Sequence, residues 1–171
     1  MRFRADKATV EEVVAEMIEL NPHLTRERLM RDVEVDPEDA SRVKGDVNWY
    51  KKGIKVLPES IGDLTVGGDL ILYNNNLVTL PASFGSLTVG GRLDLERNHL
   101  ATLPASFGSL TVGSYLDLKD NNLATLPASF GSLQVGGHED LSGRQVFLVG
   151  NPVAASGPHF DGLDLVLEDD Y

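Results

Sequence analysis

From Leu57 onward the apolar residues recur with a period of 23. Leu57–Thr79 reads LPESIGDLTVGGDLILYNNNLVT and Leu80–Thr102 reads LPASFGSLTVGGRLDLERNHLAT, with 14 of 23 positions the same. Leu103–Thr125 (LPASFGSLTVGSYLDLKDNNLAT) matches its predecessor at 18 of 23, and a further copy opens at Leu126 with LPASFGSLQVGG. Each unit holds the run L-x-L-x-x-N-x-L, in which the alternation of the first two leucines predicts a short strand. Leu93 and Leu95 then point inward, while Arg92, Asp94 and Glu96 point out. A unit of this size buries its apolar side only against its neighbours, so the pattern predicts a solenoid.

Counting in steps of 23 extends the array. One step back from Leu70 lands on Val47, with Trp49 and Ile54 at apolar sites and Lys52 at the asparagine position. One step forward from Leu116 lands on Glu139, but seven residues later VFLVGNPV places Val146, Leu148, Asn151 and Val153 in register. HEDLSGR, residues 138–144, is therefore expected to loop out before a fifth strand. Leu163–Leu167 alternates like a strand and is a candidate sixth at the edge.

The run with Leu70, Leu72, Asn75, Leu77 and its copies at Leu93, Leu95, Asn98, Leu100 and Leu116, Leu118, Asn121, Leu123 resembles the leucine-rich-repeat family. The strict match covers about half the chain. The resemblance implies an α/β solenoid, a right-handed coil with a parallel concave β-sheet of about five strands. An asparagine ladder of Asn75, Asn98, Asn121 and Asn151 is expected to satisfy backbone groups where the chain leaves each strand. Ile61, Phe84, Phe107 and Phe130 are expected as a buried column under the convex side, on short extended or 3₁₀ segments. One departure is Gly67, Gly90, Gly113 and Gly136 in place of the family's leading leucine, each after a valine, which reads as a tight bend before the strand.

The expected organisation is an N-terminal helical cap over residues 1–46 and a solenoid over 47–153. Its units lie at 57–79, 80–102, 103–125 and 126–153, and a C-terminal cap with an acidic tail covers 154–171. Thr9 with Glu12 fits a capping box, with Val10, Val13, Val14, Met17 and Ile18 on one helical face and Asn21-Pro22 as the stop. Thr25 opens a second helix through Val33, and Asp36-Pro37-Glu38 a short third. One amphipathic face also suits a docking module.

Charge narrows the function. The chain has 171 residues and net charge −11, with the acid in its flanks: residues 138–171 carry 7 acidic groups against 1 basic. No basic stripe is present, so neither nucleic acid nor an anionic membrane is an expected partner. The absence of cysteine excludes thiolate zinc sites and cysteine nucleophiles, including that of the effectors in this family that carry a ubiquitin-ligase domain. A charged N-terminus and the lack of any run of about 18 apolar residues point to a cytoplasmic protein, with non-classical export left open. His138, Glu139, Asp140, His159 and Asp161 match no ligand spacing, so no metal and no cofactor are expected. Ser83, Ser106 and Ser129 recur with the unit and have no base beside them, and no catalytic residue is expected.

The five differences between the second and third copies are Gly91/Ser114, Arg92/Tyr115, Glu96/Lys119, Arg97/Asp120 and His99/Asn122, all on or beside the exposed strand face. Ala82, Ser83, Ser86 and Thr88 on the convex side are unchanged. A non-enzymatic module is therefore expected to bind a protein or peptide, as a monomer, through Tyr50, Ile71, Tyr73, Arg92, Asp94, Glu96, Tyr115, Asp117, Lys119 and Phe147. Glu96 is expected opposite Lys119 and Arg97 opposite Asp120, swaps that a passive charge ladder also explains. Asp94 beside Asp117 is a like-charge pair with no evident structural gain. A self-assembling repeat and a stand-alone bacterial effector are the alternatives.

Overall fold

The computed structural model describes residues 6–136 and 145–168. The loop expected at 138–144 lies outside them, as do Asp169, Asp170 and Tyr171 of the tail.

Repetition of the L-x-L pair builds the concave sheet. Its strands are β3 (Val47–Asn48), β5 (Leu70–Ile71), β7 (Leu93–Asp94), β9 (Leu116–Asp117), β11 (Gln145–Phe147) and β12 (Asp164–Val166), in that spatial order. All pair in parallel with the repeat kept in register: Val47, Leu70, Leu93, Leu116, Val146 and Leu165 lie opposite one another. The sheet has six strands among the described residues, against about five expected. Behind it Leu72, Leu95, Leu118 and Leu148 are fully buried.

A second parallel sheet was not anticipated. Beside the antiparallel pair β1 (Val35–Asp36) and β2 (Asp39–Val43) run β4 (Thr65–Val66), β6 (Thr88–Val89), β8 (Thr111–Val112) and β10 (Gln134–Val135). Each buried valine ends one of these strands, and at Gly67, Gly90 and Gly113 the chain bends directly after it, as expected. Gly90 N–H donates to the Val66 carbonyl at 2.7 Å, and its φ is not in the left-handed region. Glycine is required there for approach: a Cβ on Gly90 would stand 2.2 Å from the Gly67 carbonyl oxygen, and one on Gly113 2.0 Å from that of Gly90. A leucine in that place would push the coils apart.

Between the sheets, short 3₁₀ segments such as Ala82–Ser86 and Ala128–Ser132 carry the aromatic column. Phe84, Phe107 and Phe130 are completely buried and stack nearly parallel at 6.2 and 6.0 Å, and Phe160 closes the column against Phe130 at 5.3 Å. Each such ring contributes roughly 1.5–3 kcal/mol by burial. The repeated serines are part of the frame: Ser83, Ser106 and Ser129 donate their hydroxyls to the carbonyls of Glu59, Ala82 and Ala105 one coil earlier.

At the N-terminus α1 (Val10–Leu20) and α2 (Arg26–Met30) pack on the first coil. Thr9 and Glu12 form the capping box, and Thr25 caps α2 through Arg28 N–H. The indole of Trp49 donates to the Leu29 carbonyl at 2.8 Å, and Asn21 joins the ending of α1 to Lys55 and Val56. α2 stops at Met30, short of Val33, where Asp32 takes a positive φ of 63°. The helix expected at Asp36-Pro37-Glu38 is the turn of the β1–β2 hairpin. Asp36 accepts Glu38 N–H, and Val43 pairs with Val66, so this segment extends the second sheet.

Candidate interaction surface

The asparagine ladder sets the surface. Asn98 donates its side-chain amide to the carbonyls of Leu72 and Leu95 and accepts Leu77 N–H at 3.1 Å. Asn121 and Asn151 repeat the arrangement, and Asn75 accepts from Lys52 and Ile54 while donating to Trp49 and Leu72. With the coils held at fixed height, the outward side chains fall into rows. Asn48, Ile71, Asp94, Asp117, Phe147 and Val166 are direct neighbours across the sheet.

Two aromatic pairs flank this surface. Toward the N-terminus Tyr50 and Tyr73 stack with centroids 5.2 Å apart and planes 8° from parallel; Tyr50 is 44% exposed. Toward the C-terminus Tyr115 meets Phe147 edge-on at 5.6 Å. Each tyrosine is steadied by an arginine: Arg97 donates to the Tyr73 hydroxyl at 2.7 Å and Arg92 to that of Tyr115 at 2.9 Å.

Charged groups lie between the pairs. Lys119 Nζ stands 3.5 Å from Asp117, 3.9 Å from Glu96 and 5.5 Å from the Phe147 centroid. Arg97 lies 3.5 Å from Asp120 and 3.6 Å from Glu96, and Arg92 lies 3.1 Å from Asp69. Glu96 thus faces Lys119, and Arg97 faces Asp120. Oxygens of Asp94, Glu96 and Asp117 come within 4.8 Å of one another, with the Lys119 ammonium beside two of these carboxylates. Of the histidines discussed for metal binding, His138 is outside the described residues. His159 makes an exposed pair with Asp161 at 3.3 Å.

Asp94 and Asp117 do have a structural gain, which corrects the sequence expectation. Each accepts the N–H two residues on, from Glu96 at 3.1 Å and Lys119 at 2.9 Å, as Asn48 does from Tyr50. That bond holds the strand exit where the next residue takes a positive φ: Lys51, Asn74, Arg97, Asp120 and Gly150, at 49° to 77°. Burial raises the Asp94 carboxyl. It raises Asp117, only 7% exposed, to about 6, against the pull of the Lys119 N–H and ammonium and helped by Asp94 and Glu96. Asp46 and Asp69 are also structural: they accept the N–H groups of Asp69 and Arg92 in the following coils, at 2.7 and 2.9 Å.

Of the ten side chains expected to meet a partner, Tyr50 is exposed, Asp117 is buried and the other eight are half-buried in a continuous patch. Sequence reasoning missed the left-handed position, whose signal was the Asn, Asp and Gly found there in three of five coils.

Among the described residues no helix is long and apolar enough to cross a membrane. No curated protein matches the chain. Among solved structures, a leucine-rich-repeat protein of Leptospira interrogans matches with a TM-score of 0.44 and 24% identity, over 66% of this chain and 36% of that one. The chain thus spans about a third of that relative's length. The family described as Leucine Rich Repeat matches residues 114–133, which hold β9 and Asn121. The same coil recurs with the same asparagine bonds through the concave sheet, so the unit that is similar to the leucine-rich-repeat model is repeated in its neighbours.

Proposed function

We propose that the chain is a non-enzymatic recognition module that binds a protein or peptide across the concave sheet. The observation that carries this reading is the pair of partly exposed aromatic contacts, Tyr50 with Tyr73 and Tyr115 with Phe147, on either side of a charged centre. Aromatic rings with ordered arginines supply contact area at low entropic cost. The close repeats support it too, since the second and third copies diverge at Arg92/Tyr115 and Glu96/Lys119 while the convex side is unchanged. The centre at Asp94, Glu96, Asp117 and Lys119 serves registry: a partner there must match three carboxylates beside one ammonium. No nucleophile, acid–base pair or phosphate loop contributes to this reading.

The test is a pull-down with the intact chain and with Tyr73→Ala/Tyr115→Ala, after circular dichroism confirms folding of the variant. Loss of a specific captured protein from the variant supports the concave face. Equal capture by both would exclude it.

A further inference from the structure

The two ends of the concave sheet differ. At the N-terminal end α1 and α2 cover the first coil through Trp49 and Asn21. At the other end β12 closes the sheet order, and among the described residues no strand pairs with its outer side. The Val166 carbonyl accepts Leu148 N–H at 2.9 Å, so the backbone groups of the flanking Leu165 and Leu167 face the open side. A groove of about 390 Å³ runs along this edge between Gln145 and the residues Asp164 to Glu168. The Gln145 side-chain oxygen in it is buried and has no hydrogen-bond partner among the described residues.

The chemistry of the edge is one-sided. Asp164 and Glu168 are exposed, and no lysine or arginine occurs from Gln145 to Glu168. Register assigns each residue a place: Asp164 sits opposite Gln145 and Val166 opposite Phe147, both outward, while Leu163, Leu165 and Leu167 line the inner side. We propose that this edge takes an extended segment of a partner protein as a seventh strand, with two basic residues four apart and three apolar residues between them. The basic residues meet Asp164 and Glu168, the central apolar residue meets Val166, and the two others cover Leu165 and its neighbours. Strand addition satisfies the outward backbone groups, and the groove's acceptors call for a donor-rich occupant. A second copy fits poorly, since it would bring its own Asp161, Asp164 and Glu168 against this set with no cation.

The experiment titrates the full chain into labelled peptides that differ only in charge, Lys-Leu-Val-Leu-Lys and Glu-Leu-Val-Leu-Glu between Gly-Ser flanks, followed by fluorescence anisotropy. The basic peptide is expected to bind about tenfold more tightly or better. Asp164→Lys/Glu168→Lys is expected to invert that preference, and Leu165→Pro, checked for folding by circular dichroism, to abolish binding. Tyr73→Ala is expected to leave it unchanged, which separates this edge from the concave face. Equal affinity for the two peptides, or binding of neither, overturns the proposal. A concentration-dependent dimer that Leu165→Pro disperses would assign the edge to a second copy and overturn it equally.

Discussion

Leu77 N–H donates to the side-chain oxygen of Asn98 at 3.1 Å, and the same asparagine's amide donates to Leu72 and Leu95. One buried side chain therefore ties three backbone groups in two coils. Asn98→Ala leaves the buried Leu77 N–H without its acceptor, at a cost of about 1–3 kcal/mol, while the Leu72 and Leu95 carbonyls keep the amides of Asn75 and Asn121. We expect a loss of roughly 1–3 kcal/mol by urea unfolding. A loss below about 1 kcal/mol would mean that water or a shifted backbone takes over the bonds.

Asp117 makes stability depend on pH in an unusual direction for a carboxylate. Its folded value near 6 exceeds the ordinary 3.8, so the folded state holds the proton more tightly. Stability is greatest below the unfolded value and is lost as pH rises from about 4 to about 6, by up to about 3 kcal/mol. Asp117→Asn keeps the acceptor for Lys119 N–H and removes the charge. The variant should match wild type near pH 4 and exceed it by about 1–3 kcal/mol at pH 7.5. Urea midpoints at the two pH values check this, and an identical difference at both would rule it out.

Gly90 and Gly45 should respond oppositely to alanine. A Cβ on Gly90 meets the Gly67 carbonyl oxygen at 2.2 Å, an atom of the neighbouring strand that has nowhere to go. A Cβ on Gly45 meets nothing within 4 Å. Gly90→Ala is expected to cost at least about 2 kcal/mol, whereas Gly45→Ala stays within about 0.5 kcal/mol. Thermal melts of the two variants provide the comparison.

Lys51 stands in the left-handed region at φ 49°, where its counterparts Asn74, Asp120 and Gly150 are better suited. Lys51→Asn is expected to stabilise the chain by about 0.5–1 kcal/mol, since asparagine tolerates this backbone. A melting temperature at or below that of wild type would show that the lysine makes a compensating contact.

The coil was legible because Leu, Asn and Phe recur at positions where burial and hydrogen bonding permit few alternatives. Leu93 and Asn98 announce themselves by spacing alone. The second sheet was not legible: its strands are two residues long, and Thr88-Val89 followed by two glycines looks like a turn. Only the approach of Gly90 to the Gly67 carbonyl discloses the reason for glycine. The β1–β2 hairpin was misread because Asp36-Pro37 also begins helices, and what decided its shape was the pairing of Val43 with Val66. In the interaction patch the outward direction of Asp94 and Asp117 followed from alternation. Their bonds to Glu96 and Lys119 did not, because such a bond depends on the backbone beyond the strand.

The aromatic column, the serine hydroxyls and the asparagine amides all join a coil to its neighbour with the same atoms in each copy. The array is therefore modular in length. Duplicating residues 80–102 once more would add one tread of about 4.8 Å to the staircase and keep every row aligned. The length of the concave sheet thus grows in whole steps, while the few outward residues in each step can be rewritten separately.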